Sequence, residues 1–311
     1  MTCIFKNLLT KPVYFCMMKD ENKGGDMMKK FLPIFLVGIL LMHTLAGCNY
    51  SVDVGFVSTY HYENADDYVM GGASLSDAIS EIEIDWVSGS VTVQYHDGDT
   101  VLVSETCSRE LEEQSSLYYR VVGDTLMIQY AKSGVWTNID FQKDLTVSLP
   151  KPSDEDGAVI TEYDLSIETV SADVEILGIQ TQKCELENVS GEISASLLGE
   201  MTSLQIENIS GNVSIHVDRL DRFDVESVSG NVSLTGEDIR SGDIETVSGN
   251  VSLHIPPNHG YAVDFDSVSG DIHFHGAEVS KVGDRYTVGD GSRRYDVETV
   301  SGDVKISEYK A

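Results

Sequence analysis

The chain has 311 residues, 51 Asp and Glu against 21 Lys and Arg, and a formal charge of −30 at pH 7. A surface this negative repels phosphate backbones and anionic headgroups, which excludes nucleic acid as a partner and leaves cations, basic peptides and uncharged glycans. The acids are interleaved with apolar residues, so they read as a solvated face and not as a disordered tail.

Residues 1–27 read as translation upstream of the true start: Lys23-Gly24-Gly25-Asp26 is encodable as AAA-GGA-GGT-GAT, a ribosome-binding sequence just before Met27 and Met28. Residues 28–47 then form a signal peptide. Lys29 and Lys30 are its positive start, and Phe31–Met42 is an apolar stretch too short for a comfortable membrane span. Leu45-Ala46-Gly47-Cys48 resembles the bacterial lipobox. That resemblance implies a diacylated Cys48, the lipid bilayer as a partner, and a bacterial cell-membrane protein facing outside the cytoplasm. Two lipid chains give lasting attachment where one does not. A plain cleaved signal or a signal anchor is the alternative. Beyond Cys48 only Cys107 and Cys184 remain, and their spacing leaves open a disulfide or two buried small residues. Residues 49–311 hold 48 acids and 15 Lys and Arg, a formal charge of −33.

Residues 48–78 are the lipidated N-terminus and a polar tether, about 30 Å in root-mean-square span if flexible. Residues 79–150 alternate as strands without a tight period. Ile82-Glu83-Ile84-Asp85-Trp86 and Val91-Thr92-Val93 flank a Ser88-Gly89 turn, and Asp97-Gly98-Asp99 precedes Val101-Leu102-Val103. Gly123-Asp124 sits between two apolar runs as a hairpin turn. Leu145–Pro150 closes the block, with proline at a strand end. Ser108–Leu117 is the one helix candidate after the signal. Residues 151–157 are a charged loop.

From residue 160 to 311 the chain is regular. Asn188-Val189-Ser190-Gly191-Glu192-Ile193, Asn208-Ile209-Ser210-Gly211-Asn212-Val213 and Ser227-Val228-Ser229-Gly230-Asn231-Val232 are three of seven near-copies. The small residue recurs as Ala172, Gly191, Gly211, Gly230, Gly249, Gly270 and Gly302, a period near twenty that marks a stacked array. Within one copy, Phe223 and Val225 share a face, as do Val232 and Leu234. Between them the apolar spacing becomes three and then four, so the chain turns, with Ser-Gly-Asn at the second corner. These residues predict an all-β fold, a single-chain parallel β-solenoid with coils of 19–21 residues. The predicted solenoid domain spans 79–311, with 79–150 as irregular first coils and N-terminal β cap. One coil cannot stand alone. About five buried side chains contribute on the order of 10 kcal/mol, against roughly 1–2 kcal/mol for ordering each of nineteen residues. The coils are expected to stack consecutively. The interval of 32 before the last copy is expected to hold an excursion at 277–294. An Ig-like sandwich is the rival fold, and it does not predict identical turns at a fixed period.

Ile84–Val91, Gly123–Leu126, the Leu149-Pro150 strand end, the repeated V-S-G-N/D-V and the terminal Gly289–Val304 together resemble the putative-adhesin family of bacterial β-strand-repeat domains of unknown function. The resemblance covers about residues 68–311. It implies an extracytoplasmic β-solenoid, often membrane-attached, and brings no catalytic residues.

Glu168, Glu187, Glu207, Glu226, Glu245, Asp266 and Glu298 hold one place in each repeat. Stacking would set them about 5 Å apart, which is unfavourable for like charges. Calcium could relieve this; an outward, hydrated, salt-screened corner could too. Asn212, Asn231 and Asn250, with Asp271 and Asp303, predict a structural side-chain ladder at the glycine corner. Several of these asparagines open N-x-S triplets, and glycosylation there does not suit a bacterial lipobox. His273 and His275 share a strand face, and two ligands do not make a zinc site. Trp86, Trp136 and the tyrosines fit core and cap packing better than sugar stacking.

No nucleophile–base pair, phosphate loop or metal signature is present, and no cofactor is expected. The reading is a non-catalytic, lipid-anchored β-solenoid that acts as an adhesin or binds an unknown protein or glycan. A cell-envelope stress accessory or scaffold is the alternative. A polysaccharide-active β-helix enzyme is the remote one, because the regular coils lack loops to wall a groove and a base beside the carboxylates.

Overall fold

The computed structural model describes residues 59–136, 142–151, 162–256 and 260–308. Cys48 and the signal segment lie outside these residues, as does the Trp136 side chain. The described chain is all-β. Its only helical pieces are two single turns of 3-10 helix, Ala65–Asp67 and Glu113–Ser115. The second is what becomes of the helix candidate Ser108–Leu117; the segment is too short to repay helix nucleation without an apolar face to bury. Among the described residues no helix is long and apolar enough to cross a membrane.

The protein is a parallel β-solenoid. Alternation of apolar and polar residues sends every second side chain inward, and the inward files form one continuous core from Ile82 to Ile306. Parallel register carries Val225 onto Ile206 and Ile244, and Leu234 onto Ile215 and Leu253. The corner glycines set this register. Gly230 has φ of +121°, and a Cβ there would lie 1.9 Å from the Gly211 carbonyl oxygen. Only glycine offers both that conformation and that approach.

Consecutive stacking fails at both ends. In space the coils run from Thr125–Gln129 with Lys143–Pro150, to Glu81–His96, and then to Asp164–Gln180. The middle coils follow in sequence order as far as the one ending at Val251–Ile255. The next coil in space is the last in sequence, Arg293–Ser301 with Val304–Glu308. Outermost lies Tyr261–Ser269 with Ile272–His275. The interval of 32 therefore holds a return as well as an excursion. The chain passes beyond the end, makes the antiparallel hairpin Val279–Val282 and Arg285–Val288, and re-enters one level deeper.

The block 79–150 is likewise more regular than its spacing implies. Glu81–His96 is a full coil paired on both edges. The cap proper is antiparallel: Val101–Cys107 on Lys143–Ser148, and Tyr118–Val122 on Thr125–Gln129. Under it Lys143 is fully buried. Its ammonium donates to Glu105 Oε2 at 2.8 Å, to the Ser115 carbonyl at 2.7 Å and to the Tyr130 carbonyl, and lies over the Trp86 and Tyr130 rings. Trp86 is thus a core residue. Cys107 and Cys184 are both free, and Cys184 is buried.

Candidate functional site

Each coil has an extended stretch before the glycine corner, and on it two residues point outward between buried ones. In the coil of Phe223 these are Asp224 and Glu226, flanked by buried Phe223, Val225 and Ser227. Register stacks the second of them into a file through eight coils: Asp85, Glu168, Glu187, Glu207, Glu226, Glu245, Glu298 and Asp266. The order shows the exchange of the last two coils, since Glu298 sits between Glu245 and Asp266. The first forms a parallel file of Glu83, Ser166, Glu185, Gln205, Asp224, Asp243, Asp296 and Asp264. Fourteen of these sixteen positions are acids. They make a flat lattice with rows about 4.8 Å apart along the rod and about 6.6 Å across it. The sequence pattern pointed to one file and placed it at a corner. The second was missed, although its signal, an acid two residues earlier, stands in most repeats.

Crowding shifts the carboxyls. Burial first, then the charges of Asp85 and Glu187, push Glu168 up to about 8. Burial, with the charge of Glu207 next, pushes Glu187 up to about 7 and Glu226 to about 7. Glu245 is raised by burial and by Glu298. Asp85, at the head of the file, is raised by burial against the opposing hydrogen bond from Gln129. Gln129 in turn accepts from the buried Tyr60 hydroxyl at 2.6 Å; residues 59–75, expected to lie in the polar tether, instead add the strands Thr59–Tyr60, Val69–Met70 and Ala73–Leu75 to the fold. These acids lie in rows. Among the described residues no three His, Cys, Asp or Glu converge to hold a metal ion, so the calcium reading has a carboxylate file without a chelating cluster.

Basic residues stand beside the lattice and are tied up between coils. Arg222 meets Asp243 at 2.6 Å, Arg240 meets Asp221 at 2.7 Å, and Arg219 pairs with Glu200.

The corner polar residues have structural partners. The Asn231 amide donates to Asn212 Oδ1 at 3.1 Å, the Asn250 amide to Asn231 Oδ1 at 3.0 Å, and the Asp303 amide to Asn250 Oδ1 at 3.0 Å. The Asp271 amide ends the ladder on Asp303 Oδ1 at 3.0 Å. A second, buried file runs Thr169, Asn188, Asn208, Ser227, Thr246 and Thr299. In it Asn188 and Asn208 each donate to the carbonyl of their own corner glycine, Gly191 and Gly211, at 2.9 Å. The sequence marked this file by a polar residue at an inward parity, a signal that was not used. His273 and His275 are exposed on the outermost coil.

A family model described as Toastrack DUF4097 matches residues 79–307. Solved structures with similarity include a putative cell adhesion protein from Clostridium sporogenes, 12% identical, covering 78% of this chain and 100% of that one, with a TM-score of 0.30. A putative adhesin from Bacteroides fragilis is 12% identical over 78% of this chain and 97% of that one, with a TM-score of 0.39. A putative lipid binding protein from Parabacteroides distasonis is 14% identical over 78% and 97%, with a TM-score of 0.30. No curated protein matches the chain.

Proposed function

This chain belongs to the Toastrack DUF4097 family, and we propose that it is a non-catalytic binding protein held outside a bacterial cell membrane by a lipid on Cys48. Its binding face is the two-file carboxylate lattice, and its partner is a cationic protein or peptide surface. The observation that carries this reading is the length of the lattice: acids at fourteen of sixteen positions over eight coils, with no basic residue in either file. A field of that extent steers and holds an extended cation far better than a point charge. The rod supports display more than chemistry, because the arginines beside the files are held in ion pairs, Arg222 with Asp243 and both Arg285 and Arg294 with Asp264. The anchor reading rests on Leu45-Ala46-Gly47-Cys48.

The test uses cells carrying the full chain. Binding of a fluorescent oligolysine peptide is measured against a variant with Glu187, Glu207 and Glu226 changed to Gln and with Asp224 and Asp243 changed to Asn. Loss of binding in the variant, and a steep fall with salt in the parent, support the face. Equal binding by both rejects it. Deleting the gene separates the alternative: loss of stress signalling with unchanged adhesion favours an envelope-stress scaffold.

A further inference from the structure

The two ends of the solenoid are finished differently. At the N-terminal end the first coil is covered on both its faces by antiparallel strands, Tyr118–Val122 and Val101–Cys107. Further strands, Val69–Met70 and Ala73–Leu75, extend that cap. At the other end the hairpin pairs only with Tyr261–Asp264, gives one more bond, from the Phe265 amide to the Asp284 carbonyl at 3.1 Å, and lays the Tyr286 ring 5.2 Å from that of Phe274. Ile272–His275 pairs with Val304–Ser307 on its inner edge, and among the described residues nothing pairs with its outer edge. The core opens there too. Phe265, Ile272 and Phe274 continue inward files that are buried in the coil beneath, at Val297, Val304 and Ile306, yet they are only half-buried. Val268 beside them is 54% exposed.

We infer that this edge is an interface for a second copy of the chain, added antiparallel about a two-fold axis at His273. The sealed first coil blocks head-to-tail stacking, so the contact closes as a dimer and does not propagate into a fibre. The register follows from the residues. With His273 opposite its own copy, Ile272 faces Phe274 on the core side and Asp271 faces His275 on the outer side. Each copy thus supplies an apolar pair and an acid–imidazole pair, favourable cross-strand combinations. Asp271 is also the last rung of the corner ladder: its amide donates to Asp303 Oδ1, and the residue is exposed. The surrounding charge suits self-contact better than the rest of the lattice does, because Asp264 at this end is paired with both Arg285 and Arg294. The inference is independent of what the acidic face binds.

A residue opposite its own copy gives a direct test. Antiparallel partners lie about 4.5 or 5.5 Å apart at Cα, within the range a disulfide bridges. The full-length chain carrying His273→Cys is expressed in bacteria, treated with a mild oxidant and run on a non-reducing gel. The expected result is a reducible species of twice the monomer mass for most of the protein. Wild type, with only its native cysteines, remains monomeric. Ser214→Cys, in the same outward file four coils deeper, also remains monomeric. Adding Phe274→Lys to His273→Cys cuts the dimer at least five-fold while protease resistance stays that of wild type. Monomer alone, a cross-link of any other mass, equal cross-linking by Ser214→Cys, or a dimer indifferent to Phe274→Lys overturns the inference.

Discussion

Removing alternate charges from the carboxylate file should stabilise the protein, and only at neutral to alkaline pH. Glu187 and Glu226 stand at about 7 in the folded chain against an ordinary 4.5. The folded state therefore binds more protons than the unfolded one across that interval. The contribution is fully present below about 4.5 and is lost as pH rises through 7. Taken whole, holding both ionised at pH 8 would cost roughly 3 kcal/mol each. Both are half-buried, and solvent screening reduces this to about 1 kcal/mol each. Glu187→Gln with Glu226→Gln keeps the shape and removes the charge. The double variant should gain ~2 kcal/mol at pH 8, or about 4–8 °C in Tm for a fold of this size. Near pH 4.5 the gain should vanish, because the parent is already protonated. Thermal melts of both proteins from pH 4.5 to 8.5 at fixed ionic strength measure the difference, which cancels the general effect of the chain's net charge. A variant no more stable than the parent at pH 8, or equally stabilised at pH 4.5, would refute the argument.

Gly230→Ala should cost ~2–4 kcal/mol, since the new Cβ meets the Gly211 carbonyl in a conformation alanine avoids; a denaturant melt reads the loss. Lys143→Met should destabilise by about 3–5 kcal/mol because it strands the Glu105 carboxylate under the cap. Adding Glu105→Gln should recover most of that, and a double-mutant cycle in the same melt checks it.

The middle of the rod was legible because period and parity are local signals. Phe223, Val225, Val232 and Leu234 announce two inward faces, and Gly230 announces the corner between them. The acid file at Glu226 follows from the same arithmetic. Its raised carboxyls do not, since they depend on how closely flat faces stack. Lys143 was unreadable for a related reason: a lone lysine before a strand looks exposed until the cap of Val101–Cys107 folds over it. Order at the ends was also out of reach. Ser267-Val268-Ser269-Gly270 and Thr299-Val300-Ser301-Gly302 are equally good matches to the coil at Thr246-Val247-Ser248-Gly249, and no period says which of them stacks first.

Packing decides that order, and one ring carries the decision. Gly242 leaves a hole in its coil, with Phe223 beneath it; a Cβ there would lie 2.4 Å from the Phe223 ring. Above Gly242 the native neighbour is Tyr295, which stacks on Phe223 across the gap at 6.1 Å between centroids. Its hydroxyl donates to the Ile239 carbonyl at 2.7 Å, and the adjacent Arg293 meets Asp238 at 2.6 Å. The coil of residues 261–275 offers Val263 at the same register, too small to fill the space and without a donor. Tyr295→Val should therefore cost ~3–4 kcal/mol through the cavity it leaves, and should also erase the preference between the two orders. Cysteine pairs report which coil is adjacent. Ser252→Cys with Lys305→Cys spans native neighbours and should form a disulfide within one chain. Ser252→Cys with His273→Cys spans coils two levels apart and should not. In the Tyr295→Val background the second pair should begin to close. If it closes in the parent chain, the late strand does not enter between its neighbours, and the exchanged order at this end is wrong.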